Sequence, residues 1–388
     1  MKKVKLLLLS VLCTVAAHAQ LNGDGYYRIQ NQSTQRYISP SDNYGYNEPG
    51  TTMVDVSALK TIPQEGVQAD AGSVVYIKAE GDGYNLLGQG YQTKDVFPGH
   101  PYLKIWDNGD GSYKAYMTEG NVSVYLVEGN EQCMTSKNST LDKADWLIVP
   151  MDEQNNYFGI APNIEIGNEF YKSFFAAFPF TVASEGLKAY TITSIEENSG
   201  IVVIKEAEGQ IDGATPVIFK STAAEAENNK LTVGEGEPSL TEAEAYNEYM
   251  KQTELENGVH GAFFCNPVQG SHRNVIEYDP ETMRVLGKDA NGNLAFITAN
   301  LEYIPANTAF IKVSKGTAET FLVVEEGSGQ ETIHGDVNRD GKIDLIDYNM
   351  VCQMVRGEIP ATLEGDVNGD GEVNVTDIAA IIKLILNS

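Results

Sequence analysis

Basic residues are scarce in this chain: 27 Lys and Arg stand against 54 Asp and Glu, for a formal net charge of −27. Nucleic acid and anionic membrane both demand a basic footprint, so neither is expected as a partner. Cysteine is nearly missing too. Beyond residue 19 only Cys133, Cys265 and Cys352 remain. Three such distant cysteines make no disulfide framework; one bridge at most can form, and buried small apolar side chains are the simpler reading. No HExxH, GxSxG, zinc-type cysteine pair or phosphate-binding loop occurs. Past the N-terminus no apolar run is long enough for a membrane-spanning helix. What remains is a chain of 388 residues that is 42% hydrophobic. That is enough apolar surface to offset the entropy of ordering, over two or three domains.

The N-terminus carries Lys2, Lys3 and Lys5, then an apolar run at 6–17, then Ala17-His18-Ala19. Basic, apolar and small-residue segments in that order are a secretory signal peptide covering 1–19. Cleavage there removes three lysines and no acid, leaving −30. The protein is therefore expected to be secreted or at the cell surface.

The last 54 residues hold an internal repeat with a period of 30. Asp336, Asn338, Asp340, Lys342, Asp344 and Asp347 recur as Asp366, Asn368, Asp370, Glu372, Asn374 and Asp377. These are positions 1, 3, 5, 7, 9 and 12 of a calcium loop, with Asp in place of the usual Glu at 12. Calcium takes six to eight oxygens, and alternate residues of a tight loop point theirs inward. Glycines 341 and 371 at position 6 allow the sharp turn. Position 7 offers its backbone carbonyl, from Lys342 or Glu372, and position 9 usually acts through a water. Two calcium ions would bring the −6 of residues 336–388 to −2. A helical apolar stripe follows each loop: Tyr348, Val351, Cys352 and Val355, then Ile378, Ile381, Ile382 and Ile385. The opposite face of the first helix shows Ile346, Met350 and Met354. The second shows the more polar Thr376, Ala380, Lys383 and Leu384.

This tract, 335–388, resembles a dockerin domain, a duplicated calcium loop–helix segment with Asp at position 12. The resemblance implies a cohesin-type scaffold or surface protein as partner. The usual Ser-Thr recognition pair at positions 10 and 11 is replaced by Leu345-Ile346 and Val375-Thr376. Apolar character on the first helix makes Ile346, Met350 and Met354 the expected partner-binding set, with a single docking orientation.

The small polar residues at 326–334 read as a linker. Before it, the pattern is mainly β. At 20–160 an apolar strand, a tight turn and a second strand recur four times: 26–31 with 36–40, 74–79 with 84–90, 103–106 with 112–120, and 146–151 with 156–162. A trefoil-like or barrel domain is expected there. Gly25-Tyr26-Tyr27-Arg28-Ile29-Gln30-Asn31 leading to Arg36-Tyr37-Ile38 resembles the start of ricin-type β-trefoil lectin repeats, which implies sugar binding; no Gln-x-Trp signature follows. Trp106 and several tyrosines are candidates to stack on sugar rings. At 161–325 short β-branched runs flank a helical interlude near 241–252. Ile211, Thr215, Ile218 and Ser221 echo Ile304, Thr308, Ile311 and Ser314, and a β-sandwich is expected. The region resembles the all-β modules of Bacteroidetes surface proteins.

Two functions remain open. The first is a non-enzymatic exported binding protein, docked by its calcium module and presenting β domains to glycan or protein. The alternative is a polysaccharide-degrading O-glycosyl hydrolase, or an accessory subunit, recruited by the same tail. That reading calls for a cleft with two carboxylates about 5–10 Å apart.

Overall fold

The computed structural model describes residues 21–40, 59–97, 99–263, 276–326, 335–338, 342–359 and 361–387. The signal peptide at 1–19, Cys265, Asp340, Gly341 and the linker past Glu326 lie outside the described residues.

The first sheet has ten strands: Gly25–Asn31 (β1), Tyr37–Pro40 (β2), Leu59–Ile62 (β3), Val75–Glu80 (β4), Gly83–Leu87 (β5), Lys104–Asp107 (β6), Tyr113–Glu119 (β7), Val122–Gly129 (β8), Gln132–Ser136 (β9) and Trp146–Pro150 (β10). Seven of them, in the order β10-β7-β8-β9-β3-β2-β1, close into a barrel because β10 pairs back onto β1. Of the two architectures expected for this region, the barrel is the one built. Closure removes the exposed edges that an open sheet would present.

Three of the four expected hairpins form: β1–β2, β4–β5 and β6–β7. The fourth does not. Trp146–Pro150 pairs with β1, and Phe158–Gly159 pairs with residues 230–231 instead. Long-range closure pairs the backbone groups of β1 and β10 together, whereas a local hairpin would leave β1 an unpaired edge. Inside the ring lie Ile29, Ile77, Phe97, Leu126 and Trp146 among others. The buried indole of Trp146 donates to the Leu126 carbonyl at 3.0 Å.

The second region has thirteen strands: Phe158–Gly159 (β11), Ile164–Ile166 (β12), Glu169–Phe174 (β13), Phe180–Val182 (β14), Leu187–Glu196 (β15), Ile201–Glu206 (β16), Val217–Ser221 (β17), Lys230–Val233 (β18), Gly258–Ala262 (β19), Met283–Lys288 (β20), Leu294–Ile297 (β21), Thr308–Lys312 (β22) and Thr320–Glu325 (β23). Ten make one half-barrel sheet; β11, β18 and β14 make a small one. The small sheet packs on the large one through Phe158, Phe180 and Leu231 against Phe174, Ala189 and Phe219. Where the internal echo suggested a two-sheet sandwich, the region builds a half-barrel sheet with a three-stranded sheet packed on it. The internal echo is real at the core: Ile218 and Ile311 share one cluster, and a left-handed residue, Ala214 or Asn307, turns the chain before each strand.

Among the described residues four α-helices accompany the sheets: Thr93–Val96 (α1), Ala243–Leu255 (α2), Leu345–Val355 (α3) and Val375–Asn387 (α4). Tyr246 and Met250 of α2 cover the large sheet at Phe263 and Phe310. The barrel and the second region share buried groups. Ala71 and Val74 join the Phe158–Phe180 cluster, and the Gln89 side-chain Oε1 accepts from the Ala177 backbone amide at 2.8 Å. Arg28 of β1 is fully buried. It donates to Ser73 Oγ, to Asn156 Oδ1 and to the Tyr157 carbonyl. These contacts tie the barrel wall to the chain that leaves it.

Candidate metal centre

In both loops of the C-terminal repeat the Asp at position 12 accepts the same pair of backbone hydrogen bonds. In the first, the Asp347 carboxylate accepts from the Asn338 amide at 3.0 Å and from the Asp344 amide at 2.9 Å. In the second, Asp377 accepts from Asn368 at 3.0 Å and from Asn374 at 2.8 Å. Position 12 thus serves two purposes. It holds the loop's two ends together, and it is the N3 residue of the capping box that starts α3, with Asp344 as N-cap accepting from Ile346 N. Loop closure and helix initiation are one event. Asn374 caps α4 the same way, accepting from the Thr376 amide at 2.9 Å.

Position 1 is also pinned. The two Asp366 oxygens accept from the Asp370 and Gly371 amides at 2.9 and 2.7 Å. Asp347 and Asp377 are both 0% exposed, and Asp336 and Asp366 are buried. Among the described residues, no Lys or Arg pairs with Asp347, Asp366, Asp370 or Asp377. A buried carboxylate without a cation is costly. Amide N–H groups aim each carboxylate but leave a lone pair on every oxygen. Oxygen-only donors from Asp, Asn and a backbone carbonyl suit a hard divalent ion such as calcium. The residues therefore fit the metal. In the second loop the residues that would hold it are Asp366, Asn368, Asp370, the Glu372 carbonyl, Asn374 and Asp377. In the first they would be Asp336, Asn338, Asp344, Asp347 and the Lys342 carbonyl, with Asp340 outside the described residues. No three His, Cys, Asp or Glu side chains already converge to hold a metal among the described residues.

The two halves clasp each other through a feature the sequence pattern did not flag. Gly335 precedes the first loop, and a Cβ there would lie 2.7 Å from Leu384 of α4. Gly365 precedes the second, and a Cβ there would lie 2.5 Å from the Met354 sulfur of α3. Each loop therefore seats its entry glycine on the other half's helix. Val337, Val351, Met354, Val367 and Ile381 form the shared core.

That core corrects the expected docking face. Met354 is 6% exposed and belongs to the core, and Met350 is half-buried against it. Of the three, Ile346 alone is open to solvent. The i, i+4 count from Ile346 put Met354 outside, but the helices cross so that Thr362 and Gly365 cover it. The second helix is also less polar than expected: Ile382 is exposed rather than in the stripe, and Leu386 is exposed with it. Leu345 and Val375, at position 10 of each loop, are 68% and 69% exposed.

Elsewhere, one lysine draws two carboxylates together. Lys220 Nζ lies 3.1 Å from both Glu169 and Glu325. The Tyr171 hydroxyl donates to Glu169 at 2.7 Å, and that bond, with Lys220, holds the Glu169 carboxyl below its ordinary range. A general acid needs the opposite shift. The ammonium also occupies the space between the carboxylates, so this cluster ties strands together.

Residues 364–388 match the family model of the dockerin type I domain, over the second loop and α4. Dockerin type I domains bind calcium, and the match implies a cohesin partner. No curated protein matches the chain. A solved chain described as SeviL bound to asialo-GM1 saccharide is similar over 33% of this chain and 98% of its own, at 11% identity and a TM-score of 0.24. A score that low specifies neither fold nor ligand here. Among the described residues no helix is long and apolar enough to cross a membrane.

Proposed function

We propose that this chain is an exported modular binding protein, tethered to a cohesin-type partner by a C-terminal module that holds two calcium ions. The observation that supports it is the pair of congruent loops, one inside the segment matched to the dockerin type I family. The module spans 335–388. The barrel, at about 20–160, and the sheet region, at about 161–325, are the cargo it carries, and glycan binding is their role. Export follows from the signal peptide at 1–19.

On this reading the metals fix the loops, the loops start the helices, and the helix starts present the docking face. Ile346 and its neighbour Leu345 lead that face, with Met350 at its margin. Apolar side chains this exposed at a helix start favour association over solution. Position 11 differs between the halves, Ile346 against Thr376, so one orientation is preferred.

Capture of the full chain on immobilised cohesin modules tests this. Capture is expected in calcium and release in chelator. Ile346→Asp should weaken capture at least tenfold with calcium binding unchanged, and Thr376→Asp should have less effect. Capture that ignores chelator, or none across a cohesin panel, overturns the docking reading. Equal losses from the two substitutions overturn the single orientation.

A further inference from the structure

Trp106 is placed where the fold does not need it. The chain has two tryptophans. Trp146 fills the barrel, whereas Trp106 on β6 is 64% exposed. Strand register shows what surrounds it. Trp106 lies opposite Lys114, Lys104 opposite Tyr116, and Tyr116 opposite Tyr125. Directly paired residues point to the same face. The outer face of β6, β7 and β8 therefore carries Lys104, Trp106, Lys114, Tyr116, Thr118, Ser123 and Tyr125. The alternate residues Ile105, Tyr113, Ala115, Met117, Val124 and Leu126 face the barrel core.

We propose that this face is a carbohydrate-binding platform for neutral saccharides, with Trp106 the principal stacking residue and Tyr116 and Tyr125 extending it. It locates the glycan role of the reading above and does not depend on the docking role. Three aromatic rings step across three adjacent strands, and the Tyr116 and Tyr125 centroids are 5.4 Å apart. Two strand spacings, about 9.6 Å, separate the outer strands. The outward set is aromatic and polar with no aliphatic member, unlike the apolar centre of a protein interface. Flat aromatic faces suit the C–H faces of sugar rings.

Charge selects a neutral ligand. Lys104 pairs with Asp82, and Lys114 with Asp145 at 2.5 Å, so neither ammonium is left as an anion anchor. Asp107 and Glu119 are exposed at the margin, and the chain's net charge repels anions. What the rim offers is paired donors and acceptors. Asn108 Nδ2 donates to Asp145 Oδ1 at 2.8 Å beside Lys114, and the Tyr116 and Tyr125 hydroxyls have no protein partner among the described residues. Sugar hydroxyls use both kinds of group.

Tryptophan fluorescence of the full chain reads the platform directly, because Trp146 is shielded. The probes are neutral cello-, xylo-, manno- and galacto-oligosaccharides, with sialylated and sulfated oligosaccharides beside them, each in calcium and in chelator. At least one neutral series should protect Trp106 from acrylamide quenching, equally in both buffers. Trp106→Ala should weaken that binding at least tenfold and Tyr125→Ala several-fold, with unchanged melting because both side chains lie outside the core. The proposal is overturned if no neutral probe protects Trp106. It is equally overturned if a Trp106→Ala, Tyr116→Ala double variant binds as wild type, or if only anionic probes bind. Loss of cohesin capture with sugar binding intact would strike the docking reading alone.

Discussion

Chelating calcium from the full chain should unfold residues 335–387 and leave the barrel and the large sheet intact. The tail's core has five buried apolar residues, Val337, Val351, Met354, Val367 and Ile381. A module of about 50 residues is marginal on that core alone. Its Asp347 and Asp377 carboxylates are fully buried, with no Lys or Arg paired to them among the described residues. Because those carboxylates also cap the helices, losing the metal releases a loop and a helix start together. Amide hydrogen exchange should show α3 and α4 losing protection in chelator while β1, β8 and β10 keep theirs. Calorimetry should count two ions per chain. Asp377→Ala should weaken the second loop by more than about 100-fold, since it removes a ligand and not merely a ligand's support. Asp347→Ala should do the same to the first. Unchanged protection of both helices in chelator would refute metal-coupled folding of the tail.

Arg28→Leu is expected to destabilise the barrel by about 3–5 kcal/mol, the usual cost of removing one partner from a buried charged network. Its guanidinium is fully buried and holds Ser73, Asn156 and the Tyr157 carbonyl. Leucine fills similar space but leaves those groups unpaired. It also withdraws the cation near Asp70, a buried carboxyl with one oxygen lacking any hydrogen-bond partner among the described residues. Burial pushes the Asp70 carboxyl above its ordinary range, and the Ser39 hydrogen bond and Arg28 pull it back. In the variant it should rise further. A carboxyl raised in the folded state contributes most below its unfolded value of about 3.9 and loses that contribution as pH climbs through the folded value. The gap between wild type and Arg28→Leu should therefore be smallest near pH 4 and widen toward neutrality. Melting curves from pH 4 to 7 measure it; a midpoint drop of roughly 6–20 °C is expected at pH 7. A drop independent of pH would remove Asp70 from the account.

The calcium loops were legible because their chemistry is local. Every donor in a loop lies within twelve residues, so spacing alone places the oxygens, and the 30-residue repeat makes a chance match improbable. The three true hairpins were legible for the same reason, since a tight turn dictates the register of its flanking strands. Alternation along β7 and β8 likewise separates core from outer face.

What depended on distant pairing was not readable. Trp146–Pro150 could equally have turned back on 156–162; only closure against β1, more than a hundred residues away, decides otherwise. Nothing in the sequence near Arg28 supplies its buried partners; Ser73, Asn156 and Tyr157 converge on it only in the fold. Met354 reads as the outer face of a helix until α4 and Gly365 cross over it. The amino-acid sequence by itself determined the loop repeat and the β character, because each rests on residues near one another in the chain. The tertiary structure decided which strands close the barrel, which charges are buried and which aromatic ring is left facing solvent. Those outcomes rest on contacts between residues far apart in sequence, and no local spacing encodes them.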